Sequence, residues 1–296
     1  MNQESVSIGR ERAKYILAVA LYGTIGMFLR YVHLPSELVA MCRGAIGSLF
    51  ILAVLRVRRL RPDREAIRRN LKPLLISGVC LGLNWIFLFE AYIETTVAIA
   101  SLCNYMAPLI VILLAPPILR ERLDRRKLPC VAAAMLGIVL VSGVIGGSGA
   151  NLPGVLLGLA AAFCFVIIVL CNRKMTGLAA LDKSVVQLAL SALTILPYFL
   201  LHNRGQALQA DARSIGIVLM LGVLHTGFAY CLYFSGMATL PVQTVALLGY
   251  LEPVISVLCS AFFLGEPMTW MGWAGAALII GAAAVSELLP EKPPEG

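Results

Sequence analysis

The sequence predicts an all-α integral membrane protein of ten transmembrane helices, arranged as an inverted repeat of five and five. Three observations carry this. Of 296 residues, 59% are hydrophobic and only 14% charged, whereas soluble domains run at about a quarter charged. Ten apolar runs of about twenty residues each reach the length needed to cross a bilayer. Finally, the chain is duplicated. Residues 95–121 (TTVAIASLCNYMAPLIVILLAPPILRE) align with residues 239–266 (TLPVQTVALLGYLEPVISVLCSAFFLGE) at a constant offset of 145, with Tyr105 on Tyr250, Pro108 on Pro253 and Glu121 on Glu266. Upstream, the same offset sets Gly82 on Gly227 and Phe89 on Phe234. A match of that extent marks an architectural repeat. With an odd number of spans per copy, the second copy enters the membrane from the opposite side.

The runs fall at 14–32, 36–55, 73–93, 95–118, 128–147, 153–172, 184–202, 214–236, 239–264 and 268–288. The turn GGSGANL at 146–152 divides them into a first unit, 1–147, and a second, 153–288. The tail LPEKPPEG, 289–296, reads as disordered. Small residues four apart, at Gly78/Gly82, Gly143/Gly147, Gly154/Gly158 and Gly272/Ala276, predict close helix approach. Pro197 predicts a kink in the seventh span. The polar N-terminus leads into a series of spans, so no cleaved signal peptide is expected.

Basic residues orient the spans. Arg10, Arg12 and Lys14 precede the first, and Arg56, Arg58, Arg59, Arg61, Arg64, Arg68, Arg69 and Lys72 follow the second. Arg120, Arg122, Arg125, Arg126 and Lys127 follow the fourth, and Arg173, Lys174 and Lys183 the sixth. In a ten-span topology all of these share one face, and the opposite loops hold only Arg204 and Arg213. The positive-inside rule then puts both termini in the cytoplasm of a multi-pass protein of the inner or plasma membrane.

The ninth span carries Glu252 near its middle, followed by Pro253. A carboxylate at bilayer depth is costly and marks a functional site by default. Proline removes a backbone donor and clashes with the carbonyl four residues earlier, so the helix is expected to kink and free the Gly249 carbonyl. The first copy repeats the break at Pro108 but has Ala107 opposite Glu252, and Ser235 stands opposite Glu90. The backbone device is duplicated and the carboxylates are not. Glu252 reads as a cation-binding or proton-carrying group, or else as a structural carboxylate bonded to a neighbouring helix.

Other candidates surround it. Glu90 lies roughly 5 Å from the outer end of span three and Arg43 roughly 10 Å inside span two. An internal ion pair of Arg43 with Glu90 or Glu252 is favoured over contact with an anionic substrate group. Asn84, Trp85, Asn104, Tyr105, Tyr22, Tyr230 and Tyr250 are mid-span polar or amphipathic groups able to line a cavity for an organic cation or an aromatic solute. His225, the histidine at depth, is a candidate proton relay or a neutral hydrogen-bonded ring.

Several function classes are excluded or weakened. The eight cysteines lie in apolar stretches without CxxC or a nearby histidine pair, so they read as small hydrophobes, and no metal or cofactor is expected. Nothing between the spans is large enough to bind nucleic acid. No HExxH, Gly-x-Ser-x-Gly or GxxxxGK[ST] occurs, which weakens an intramembrane enzyme and removes ATP hydrolysis as a drive. A channel or scaffold protein is a further alternative, and a channel would show rings of repeated polar groups, whereas each charged group here occurs once.

Ten spans, the inverted duplication, Tyr250-Leu251-Glu252-Pro253 with Gly265-Glu266-Pro267, and the counterpart Tyr105-Met106-Ala107-Pro108 together resemble the EamA-type carriers of the drug/metabolite transporter superfamily. The likeness covers nearly the whole chain, and Arg43 also resembles an arginine common in that span. Glu90 departs from the pattern. The resemblance implies a secondary transporter, more often an exporter, of a small metabolite, amino acid or drug. Transport would be proton-coupled or facilitative, by alternating access, in a monomer or homodimer embedded in the lipid bilayer. It implies no enzyme.

Overall fold

The computed structural model describes residues 3–95, 97–119, 125–141, 152–203, 210–263 and 269–289, and among these it is helical with no strand. In chain order the helices are α1 (Gln3–Leu29), α2 (Ser36–Val57), α3 (Arg64–Arg69), α4 (Leu71–Glu94), α5 (Val97–Asn104) and α6 (Ala107–Leu119). After a 3₁₀ turn at Arg125–Lys127 come α7 (Leu128–Val141), α8 (Leu152–Lys174), α9 (Ala180–His202) and α10 (Ala212–Met220). A π-helical stretch, Leu221–Phe228, joins α10 to α11 (Ala229–Thr239), followed by α12 (Val242–Gly249), α13 (Leu251–Phe263) and α14 (Trp270–Leu288). Among the described residues seven apolar stretches are long enough to cross a membrane: α1 from Ile8, α2, α4, α8, α9, Ala212–Thr239 and Val242–Phe263. Large apolar side chains such as Leu49, Phe163, Leu193, Leu219 and Phe262 remain exposed along them, as a lipid-facing surface requires.

The remaining three predicted spans are shorter. Run 95–118 is divided into α5 and α6, run 128–147 is helical over α7 with 142–147 outside the described residues, and the apolar part of run 268–288 is Trp270–Val285. Also outside are Gly143/Gly147, 146–151 of the glycine-rich turn, Arg120, Glu121, Arg122, Arg204, Gly265, Glu266, Pro267 and the tail from 290.

Three elements differ from expectation. Helix α1 starts well before residue 14, and charged side chains ahead of its apolar run find partners: Lys14 donates to Glu11 at 2.5 Å and the Ser235 hydroxyl to Glu11 at 2.6 Å. The short α3 sits inside the basic loop, capped by Asp63, whose carboxylate accepts from the amides of Glu65 and Ala66 at 3.1 and 2.9 Å. Helix α9 runs on through Pro197 without interruption.

Helix α4 packs on α8 and α9, α1 on α11 and α13, α2 on α9 and the π-helical stretch, α7 on α14, and α6 on α8 and α12. At Gly82 the approach is close enough that a Cβ would stand 2.6 Å from the Thr194 Cβ and 2.9 Å from the Ser191 carbonyl oxygen. A larger residue there would force the helices apart, at about 1–3 kcal/mol.

Hydrogen bonds sort the loops into two ends. At one end Asn70 donates to the Thr176 carbonyl at 3.0 Å, the Asp63 amide donates to Asp182 at 3.2 Å, and Arg173 caps the end of α11 through the Ala238 and Leu240 carbonyls. At the other end the His33 amide donates to Ser214 at 3.0 Å and Asn203 to Glu37 at 2.7 Å. The arginines of 56–69 are exposed at the first end. Two cations assigned to loops are instead buried: Lys127 is 7% exposed and donates to Thr244 at 3.3 Å, and Lys183 is 2% exposed in the first turns of α9.

Candidate functional site

Two helix breaks build the site. Helix α5 ends at Asn104, and the Tyr105 and Met106 amides donate to Ser101 and Cys103, tightening the last turn. Helix α6 then starts at Ala107 with Pro108 second. In the other half α12 ends at Gly249, the Tyr250 amide donates to Leu247 at 3.2 Å, and α13 starts at Leu251 with Glu252 second and Pro253 third. Each proline therefore opens a new helix, where its missing N–H needs no partner, instead of kinking a continuous one. Glu252 lies in the first turn of α13, where a negative charge is favoured by the helix dipole. Helix α1 crosses here at Gly23, where a Cβ would lie 2.8 Å from the Glu252 carbonyl oxygen and 2.7 Å from the Ile255 Cβ.

Between the breaks lies a cavity of about 80 Å³. Asn104, Tyr105 and Pro108 line it from one break, Gly249 and Glu252 from the other, and Tyr15 and Tyr233 from α1 and α11, with valines and Phe165 completing the wall. The Glu252 carboxylate has no hydrogen-bond or ion-pair partner among the described residues. The Tyr15 hydroxyl donates to the Val245 carbonyl at 3.1 Å and its ring stacks on Tyr233 with centroids 4.8 Å apart. Tyr22 closes this group against Tyr230 and Tyr233 at 5.6 and 5.5 Å, its hydroxyl buried without a partner. Asn84 stands behind the cavity and holds Asn104 in place, donating to its side-chain oxygen at 3.2 Å and to the Ala161 carbonyl at 2.7 Å.

Asn84, Tyr22 and Tyr230 flank the cavity without lining it, and five predicted residues, Arg43, Trp85, Glu90, Tyr250 and His225, lie elsewhere. Arg43 forms no ion pair with a described carboxylate. Its Nε donates to the Thr226 hydroxyl at 3.2 Å and its guanidinium lies 5.3 Å from the Trp85 ring centroid. Its charge acts on Glu252 only at longer range. The expected pair with Glu90 fails because that carboxylate, in the last turns of α4, is taken by the Tyr198 hydroxyl of α9. Tyr250 is fully buried in the cluster between α7 and α14, its hydroxyl 3.2 Å from the Met135 sulfur, and does not line the cavity. His225, 2% exposed, shares a 2.9 Å hydrogen bond with Thr24 and packs edge-on against Phe28.

The sequence reading passed over Tyr15, Tyr233, Phe165, Thr24, Thr226 and Tyr198. For the first two a signal exists: Tyr15, Val19 and Tyr22 share one face of α1, and Tyr230 and Tyr233 share one face of α11.

Together the fold and the cavity define a multi-pass membrane protein with a carboxylate, unpartnered among the described residues, at the junction of two broken helices. The sequence model of the EamA-like transporter family matches residues 14–143 and again 152–287. The chain belongs to that family, within the drug/metabolite transporter superfamily. It is similar to the uncharacterized transporter YxxF of Bacillus subtilis (strain 168), 25% identical over 92% of this chain and 88% of the relative. It is also similar to the protein RarD of Streptomyces exfoliatus, 26% identical over 90% of this chain and 85% of the relative. A solved crystal structure shares the fold at a TM-score of 0.84 and 23% identity, covering 95% of this chain and 99% of the other.

Proposed function

We propose that the protein is a secondary carrier that exports a small organic solute by alternating access, with Glu252 as the group that exchanges a proton or binds the solute. The observation that carries this reading is the unpartnered carboxylate facing a cavity between two helix breaks. Half-helices meeting at a membrane-depth site are how carriers expose one site to each side in turn. The chemistry runs without a cofactor, on protons or on the solute gradient alone.

In this reading the chain forms ten spans in two five-helix units, 1–147 and 153–288, that rock against each other. The double family match supports the duplication. So does the packing, in which contacts recur when the halves are exchanged: α4 on α8 mirrors α11 on α1, and α4 on α9 mirrors the π-helical stretch on α2. Both termini face the cytoplasm of the cell membrane. Supporting this, the loops that hold the exposed arginines 56–69 hydrogen-bond to the loop after α8, so the basic segments share one end. Cysteine at Arg61 should resist an impermeant thiol reagent added outside sealed cells, and cysteine at Arg213 should react.

The decisive test is Glu252→Gln in proteoliposomes, followed with a panel of labelled metabolites with and without a pH gradient. Net gradient-driven flux should be lost with folding intact. Survival of solute exchange would assign the carboxylate to the proton, and loss of both to the solute. Wild-type driven rates at every pH would reduce Glu252 to a structural role.

A further inference from the structure

The geometry points to a solute with a single positive charge, a small organic amine, bound with its ammonium against Glu252 and the faces of the surrounding tyrosines. This rests on the carrier reading above and names its substrate class.

The first support is the sign of the wall. Glu252 is the acidic side chain in the lining, able to carry a full negative charge when it gives up its proton, and no described lysine, arginine or histidine lines the cavity. A carboxylate out of water without a partner is costly, so a ligand of opposite charge gains most by seating there. The second support is the state of the tyrosines. The Tyr15 hydroxyl hydrogen is committed to the Val245 carbonyl, and its ring is stacked on Tyr233. What such rings offer a solute is their electron-rich faces and hydroxyl oxygen lone pairs, which attract cations.

The third support separates an amine from an amino acid. A zwitterion would need a cation for its carboxylate, and the nearest candidate, Arg43, is turned to Thr226 and Trp85 outside the cavity lining. The amide at hand is that of Asn104. Asn84 must present its N–H groups to the backbone carbonyl of Ala161, so it also donates to the Asn104 oxygen. This leaves the Asn104 amide N–H₂ as a neutral donor, too weak to offset a carboxylate's desolvation. Size is the last constraint. At about 80 Å³ the cavity is about half the roughly 150 Å³ that holds a benzene, so it takes the ammonium head and favours a small solute, whose chain enters as the walls part.

The test uses four solutes of matched shape on the detergent-purified full chain: isobutylamine, valine, isovalerate and isobutanol. Dicyclohexylcarbodiimide adds to a protonated carboxyl in apolar surroundings, and the adduct on the Glu252 peptide is followed by mass spectrometry. Total modification of the Glu252 peptide, carbodiimide adduct and isobutylamide together, should slow about tenfold with isobutylamine, corresponding to near-complete occupancy, while the other three leave the total unchanged. Glu252→Gln should lose both the adduct and the thermal stabilisation by isobutylamine. Equal or stronger protection by valine or isovalerate overturns the assignment, as does labelling unaffected by the amine. A Glu252 that stays unreactive even at mildly acid pH, where the carboxyl is protonated, overturns it as well, because the carboxyl would then not face an open cavity. Protection by the amine without flux in proteoliposomes would sink the carrier reading and leave the substrate class standing. Flux of valine without amine protection would do the reverse.

Discussion

The two helix breaks share a backbone and differ in chemistry. At both, a short helix stops, one or two residues make the turn, and a proline in the first turn opens the next helix. Yet the α5–α6 break sends Tyr105 and Asn104 to the cavity, whereas the α12–α13 break buries Tyr250 between α7 and α14 and offers Glu252 instead. Duplication supplied two equivalent scaffolds, and divergence placed one charge on one of them. A site at the junction of two like helix breaks thus needs no symmetry in the side chains that line it.

The largest expected effect comes from moving the charge. In Glu252→Ala combined with Ala107→Glu, the new carboxylate enters a position only 2% exposed within the apolar core. It should fail to restore flux and lower stability by about 3–5 kcal/mol, as an uncompensated buried charge does. Restored transport with normal thermal unfolding would show that the two breaks are interchangeable.

Next is the isolation of Glu252. Arg43→Ala should lose about 1–3 kcal/mol from its contacts with Thr226 and Trp85. Adding Glu90→Gln or Glu252→Gln should recover none of it in a double-mutant cycle of thermal stability. Recovery with Glu252→Gln would mean that a direct ion pair forms in another state of the cycle.

A smaller contrast separates the paired tyrosines. Tyr105→Phe should alter the solute KM severalfold with little change in stability. Tyr250→Phe should leave KM alone and cost at most about 1 kcal/mol, the worth of one hydrogen bond. The smallest effects belong to the prolines: Pro108→Ala and Pro253→Ala should each change stability by under about 1 kcal/mol, since alanine also suits a first turn. A large loss at one proline alone would show that the backbone devices are not equivalent.

Much of this was legible in the sequence because membranes impose long-range rules that act locally. Span length, helical structure and the cost of charge at depth are properties of single segments, so the apolar runs, the duplication and Glu252 stand out without any knowledge of packing. The breaks at Pro108 and Pro253 were also local, although proline chemistry alone could not distinguish a kink from a fresh helix start. What only the tertiary structure decided is where side chains point across the bundle. Tyr105 and Tyr250 are equivalent in sequence and face different surroundings. Arg43, Glu90 and Glu252 were all candidates for one ion pair, and the packing of α2 on the π-helical stretch and of α4 on α9 gave the first two neutral partners. Depth is written in residue number along a helix. Azimuth depends on which neighbours the helix meets, and partners such as Thr226 for Arg43 and Tyr198 for Glu90 lie more than a hundred residues away.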